Sequence, residues 1–203
     1  MLARRGELNQ TDLMDWIQQT VAKARELDEP QYLGGLLALA AIAWTAVGEV
    51  RDATPLLAEL EHVPNVRYTQ DYLRSLPDLI RVAIAAGDAD LGRRLANGLK
   101  PVYQLDQHAA VTARALLAEQ HGGHADAAAL FTDAAGRWER FEVPWEQAHA
   151  LLGQGRCLLT LSRPAEAREP LRAARDIFAS LGASPVLADA NRLLAEATAL
   201  AGS

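Results

Sequence analysis

The chain has 203 residues, half of them hydrophobic, and carries 20 Lys and Arg against 26 Asp and Glu, a formal net charge of −6. A chain of this length can bury a substantial core, and its acidic balance disfavours a sequence-independent grip on nucleic-acid phosphates. A single cysteine, Cys157, excludes an internal disulfide framework and a multi-cysteine zinc site and suits a reducing compartment, so a cytoplasmic protein is expected.

Residues 1–10 are polar and charged and lack the basic start and apolar run of a secretory signal, so they read as an N-terminal tail. One helical-repeat domain is expected over 11–201. Its first helix spans 12–27 with Thr11 as cap; the acidic run Glu26, Asp28 and Glu29 reads as solvated surface. The second, 31–47, holds the most hydrophobic stretch, Leu33 to Val47. With Thr45 and two adjacent glycines it falls short of the roughly 20 apolar residues of a membrane-spanning helix, so it reads as a buried helix whose small residues admit close neighbours. No membrane association is expected. A third helix over 49–62 leads to a loop with Pro64 and Asn65, then a fourth over 69–86. Pro77 removes one of its hydrogen bonds, which predicts a bend or a later start at Ser75.

Helices follow at 88–100, 106–121, 124–141, 144–161, 164–181 and 185–200. Pro144, Pro164 and Pro185 fit first helical turns, and Ser162 and Ser184 read as caps. The last helix places Leu187, Leu193, Leu194, Ala197 and Leu200 toward the stack and Asp189, Arg192 and Glu196 toward water, the pattern of a terminal cap. At the other end, helix 12–27 precedes the first clear pair, so the chain is expected to start mid-repeat.

The turn residues Gly48, Gly87, Gly122 and Ser162 recur at intervals of 39, 35 and 40 residues, the length of a helix pair. Five positions after each stands a small residue: Ala53, Gly92, Ala127 and Ala167. Antiparallel helices joined by a tight turn cross near that point, and a large side chain would hold them apart. Twelve residues upstream, Ala41, Ala115 and Gly155 match on the first helix; Ile80 departs from the pattern. Small residues on both crossing helices, a large apolar residue four positions later and short turns resemble the tetratricopeptide repeat, and Trp44 matches its bulky position. The resemblance implies an all-α fold, a right-handed superhelix of antiparallel helix pairs with about ten helices.

From Ala115 to Ala195 the chain also resembles the C-terminal repeats of bacterial LuxR-type, MalT-like regulators and of ATPase-linked adenylate or guanylate cyclases. Trp138, Phe141, Pro144, Ala148, Gly155, Arg156, Ala167, Ala174, Phe178, Leu181 and Gly182 carry it. In such proteins the repeats receive a small inducer or a protein and signal to an ATPase and an output domain. Neither a phosphate-binding glycine loop nor a cyclase metal pattern nor a helix-turn-helix is present in this sequence. The resemblance therefore implies a sensory or interaction part of a larger signalling protein.

Little else in the residues points to chemistry. Of His62, His108, His121, His124 and His149, only His121 and His124 lie close in sequence, and with Asp126 the sole nearby carboxylate they read as turn surface, not as metal ligands. Cys157 sits among leucines and reads as a core thiol. Trp16, Trp44, Trp138 and Trp145 fall at scattered helical phases and read as core or seam. No catalytic residue, metal or cofactor is expected.

In the tetratricopeptide family the first helix of each pair builds the inner surface. The register turns Gly35, Ala38, Ile42 and Thr45 inward, then Arg74, Pro77, Arg81 and Ile84, then Ala109, Thr112, Leu116 and Glu119, and finally His149, Leu152, Arg156 and Leu159. The candidate groove is thus Arg74, Arg81, Thr112, Leu116, Glu119, His149, Leu152 and Arg156. Three arginines in an acidic protein favour an anionic group or acidic peptide, against the simpler reading that they bridge to neighbours. A non-enzymatic protein- or peptide-binding module is expected, with a separate protein or another domain of the same parent as its partner; the alternative is a small-molecule sensor for an anionic or amphipathic ligand. A helical-fold enzyme would need clustered ionisable groups.

Overall fold

The computed structural model describes residues 10–27 and 29–202. Among them are ten α-helices, one 3-10 helix and no strand. The helices are α1 (Gln10–Glu26), α2 (Pro30–Ala46), α3 (Val50–His62), α4 (Gln70–Ala85), α5 (Ala89–Ala96), α6 (Gln104–Gln120), α7 (His124–Arg140), α8 (Pro144–Thr160), α9 (Pro164–Ser180) and α10 (Ser184–Ala201), with the 3-10 turn at Val66–Tyr68. Of the expected tail, residues 1–9 lie outside the described residues and Gln10 belongs to α1. The side chains of Thr11 and Asp28 also lie outside them.

Helix ends follow local backbone chemistry. Gly48, Gly87, Gly122, Glu142, Ser162 and Gly182 each follow a helix in the left-handed region, with φ between 57° and 90°. There the chain reverses and its amides reach the last carbonyls, as Ser162 N–H does to Leu159 O at 2.9 Å. The four turn residues that define the repeat period thus share one conformation, but Ser162 closes α8 and caps nothing. Ser184 likewise is not a cap: it is the first residue of α10, and no side chain caps that end.

One other boundary differs from expectation, and one choice left open by the sequence is decided. The helix predicted over 88–100 stops at Ala96, because Asn97 is extended, Gly98 turns left-handed at φ 73° and Pro101 follows. α4 starts at Gln70 and not at Ser75, since the Thr69 hydroxyl accepts from Tyr72 N–H at 3.3 Å and fixes the first turn upstream of Pro77.

The chain divides into two compact units, one up to Ala113 and one from Arg114, the division falling within α6. In the first unit α1 packs on α2, α2 on α3 and α4, and α4 on α5. Tyr72 is buried there and its hydroxyl donates to Leu95 O at 2.8 Å. In the second, α7, α8, α9 and α10 pack consecutively, and α8 also meets α10, so first helices of successive pairs touch as in a helical-repeat stack. Ala41, Ala53, Ala115, Ala127 and Ala167 are fully buried, as crossing residues should be. In the irregular pair Ile80 and Gly92 are both buried, a large residue on one helix and the smallest on the other.

Gly153 and Gly155 sit a half-turn apart on α8 and serve opposite neighbours. A Cβ on Gly153 would meet the Phe131 ring of α7, and one on Gly155 would meet Leu171 of α9. Trp44 and Trp138 are core, and Trp145 packs against the core of the second unit. Trp16 is seam and not core: at 52 % exposure it lies off the α1 stripe of Ile17, Val21 and Ala24 and borders the space shared with Leu36 and Leu39 of α2. On α10, Leu193 and Ala197 are buried, but Leu200 is exposed in the last turn.

Candidate functional site

The predicted groove residues fall in both units, and most are committed to structure. In the first unit Arg74 is exposed on α4. Arg81 pairs with Asp78 one turn away at 2.8 Å, and Thr112 is buried with its hydroxyl donating to His108 O at 3.1 Å. In the second unit Leu116 and Leu152 are buried, Leu152 within the hydrophobic core. The His149 ring stands edge-on to Trp145 at 4.6 Å and to Phe178 at 5.1 Å.

Glu119 and Arg156 meet each other. The guanidinium of α8 grips the carboxylate of α6 with both prongs, Nε to Oε1 at 2.9 Å and Nη2 to Oε2 at 2.8 Å. Burial works against the charged guanidinium, but the hydrogen bonds and charge of Glu119 prevail and raise its pKa. The arginine therefore bridges to a neighbouring helix, the simpler of the two readings of its charge.

Open features lie elsewhere among the described residues. On the second unit a trough of about 600 Å³ runs between α6 and α7, lined by Arg114, Leu117 and Ala118 on one side and Asp126, Ala129 and Leu130 on the other. On the first unit a cleft of about 200 Å³ lies between α1 and α3 above Trp44. Both are seams between helices. A register drawn along the first helix of each pair overlooks them, although half-buried Leu117 and Leu130 already stand off the crossing stripe.

No protein-family model and no curated protein matches this chain. Among the described residues no group of three or more His, Cys, Asp or Glu is placed to hold a metal ion. No helix among them is long and apolar enough to cross a membrane. His121 is exposed on the turn before α7, its ring Nδ1 2.7 Å from Leu117 O.

Cys157 is fully buried, and burial, followed by the charge of Glu119, pushes its thiol up to about 12. A thiol held neutral is a poor nucleophile. The folded chain keeps a proton that the unfolded chain releases near pH 9, so the stability contributed below that pH is lost as pH rises toward about 12. Thermal melts between pH 8 and 11 should show this alkaline decline, and Cys157→Ala should flatten it; an identical slope in both proteins would remove the thiol from the account.

Proposed function

We propose that the chain is a non-enzymatic protein-interaction module, the sensory or scaffold repeat region of a larger bacterial signalling or transcription-regulatory protein. The observation that supports this reading is the α6–α7 trough, open to solvent, mainly apolar, and bearing an arginine and an aspartate. A small inducer suits an enclosed pocket, whereas an open trough suits a helix laid along it. The partner that fits is an amphipathic helical segment with its apolar stripe on Leu117 and Leu130, an acidic residue toward Arg114 and a basic one toward Asp126. Such charges set orientation and association rate more than affinity.

Selection of displayed helical peptides against the full chain tests the trough. Enriched peptides should carry that pattern and weaken by about tenfold or more on Leu130→Arg, a change that places an unpaired charge in the contact. Failure to enrich any binder, or binders indifferent to both Leu117→Arg and Leu130→Arg, overturns the reading. The parent-protein part rests on the resemblance of Ala115 to Ala195 and is tested by the mass of the native polypeptide. A product much heavier than 21.9 kDa supports it, and one near that mass overturns it.

A further inference from the structure

The cleft of the first unit has a distinct chemistry. α1 and α3 face each other in a register of 34 residues, which sets Arg25 against Glu59 at one end. The same offset places Gln18 and Asp52 together as lining residues farther along the cleft. The Arg25 fork is closed on Glu59, Nε to Oε1 at 2.9 Å and Nη2 to Oε2 at 2.5 Å. That cation is already satisfied. Asp52 is exposed in the first turn of α3 and forms no ion pair among the described residues. Between these ends lie apolar side chains, Ile17 and Val21 of α1 and Leu56 of α3, with the Trp44 indole beneath.

We propose that this cleft binds a small organic ammonium ion, its apolar body over Trp44 and its charged head hydrogen-bonded to Asp52 and Gln18. Arg25, Glu59 and Asp52 together leave one net negative charge, which selects a cation. An organic anion would find only Arg25 and would have to displace Glu59 from a two-pronged pair. A neutral alcohol can give the Asp52 carboxylate one hydrogen bond but not the attraction of opposite charges. At roughly 20–30 Å³ per non-hydrogen atom, a cleft of about 200 Å³ holds a body of about seven to ten such atoms.

Benzylammonium, benzyl alcohol and benzoate have nearly one size and differ in charge, so titrating each into the full chain at pH 7, followed by amide chemical shifts, tests the proposal. Benzylammonium should bind saturably, benzyl alcohol about tenfold or more weakly, and benzoate not measurably. Asp52→Asn should weaken benzylammonium about tenfold. Leu56→Trp, which fills the cleft, should abolish binding. If Asp52→Asn does not fold, Gln18→Leu on the exposed side of α1 should also weaken it. No saturable benzylammonium binding, equal affinity for the alcohol, preference for benzoate, or wild-type affinity in the folded head-group variants each overturns the assignment.

Discussion

Phe178→Ala should destabilise the second unit by about 3–5 kcal/mol, the usual cost of emptying a large aromatic site in a packed core. The ring is fully buried on α9 and stands edge-on to Trp145 at 5.8 Å and to His149 at 5.1 Å. Its neighbours in the core, among them Ala148, Leu171, Ala174, Ala190 and Leu193, come from α8, α9 and α10. Many of these are alanines, which have no side-chain length with which to fill the space. The void therefore persists, and both edge-on contacts are lost with it. Denaturant titration followed by tryptophan emission measures the effect; a loss below about 1 kcal/mol would mean that the three helices do not converge on this ring.

Gly153→Ala should also destabilise, by about 1–3 kcal/mol, although alanine ordinarily favours a helix over glycine by about 0.5–1 kcal/mol. The sign turns on the neighbour. A Cβ at Gly153 would lie 2.5 Å from Phe131 Cζ and 2.7 Å from both Cε atoms. The ring is only 1 % exposed, and rotation about its own axis moves none of these atoms clear, so α7 and α8 must separate. Gly136 supplies the control. It lies within α7, and a Cβ there meets only the end of the flexible Arg140 side chain, at 3.4 Å. Gly136→Ala should therefore stabilise by about 0.5–1 kcal/mol. Melting temperatures of the two variants should move in opposite directions; a shift of both the same way would remove close packing at Gly153 as the cause.

The helix pairs were legible in the sequence to within a few residues at nearly every end. Glycines at 48, 87 and 122 and prolines at 144, 164 and 185 act through their own backbone geometry, which needs no knowledge of distant neighbours. Alanines at positions 41, 53, 115, 127 and 167 were legible as crossing residues because contact between helices demands small side chains there. Ser162 shows the limit of local reading: a hydroxyl that suits a cap is also a residue that can close a helix, and only its positive φ separates the two.

The candidate site was far less legible. Arg156 and Glu119 stand 37 residues apart, and the repeat register turns both to the inner face, yet nothing in their spacing declares that they join. Whether an arginine meets a ligand or a carboxylate depends on the separation and rotation of α6 and α8, which packing sets. The same holds for Trp16, exposed because the apolar stripe of α1 passes beside it, and for the two seams, which exist only where helices leave space.

By itself, then, the sequence determined an all-helical chain of paired helices, where each turns, and which small residues let them cross. These features arise from backbone torsion and side-chain size within a few residues. The tertiary structure alone decided which charges are cancelled, which aromatic rings are covered and where open surface remains. Those outcomes depend on helices more than 30 residues apart in the chain meeting at a particular distance and angle.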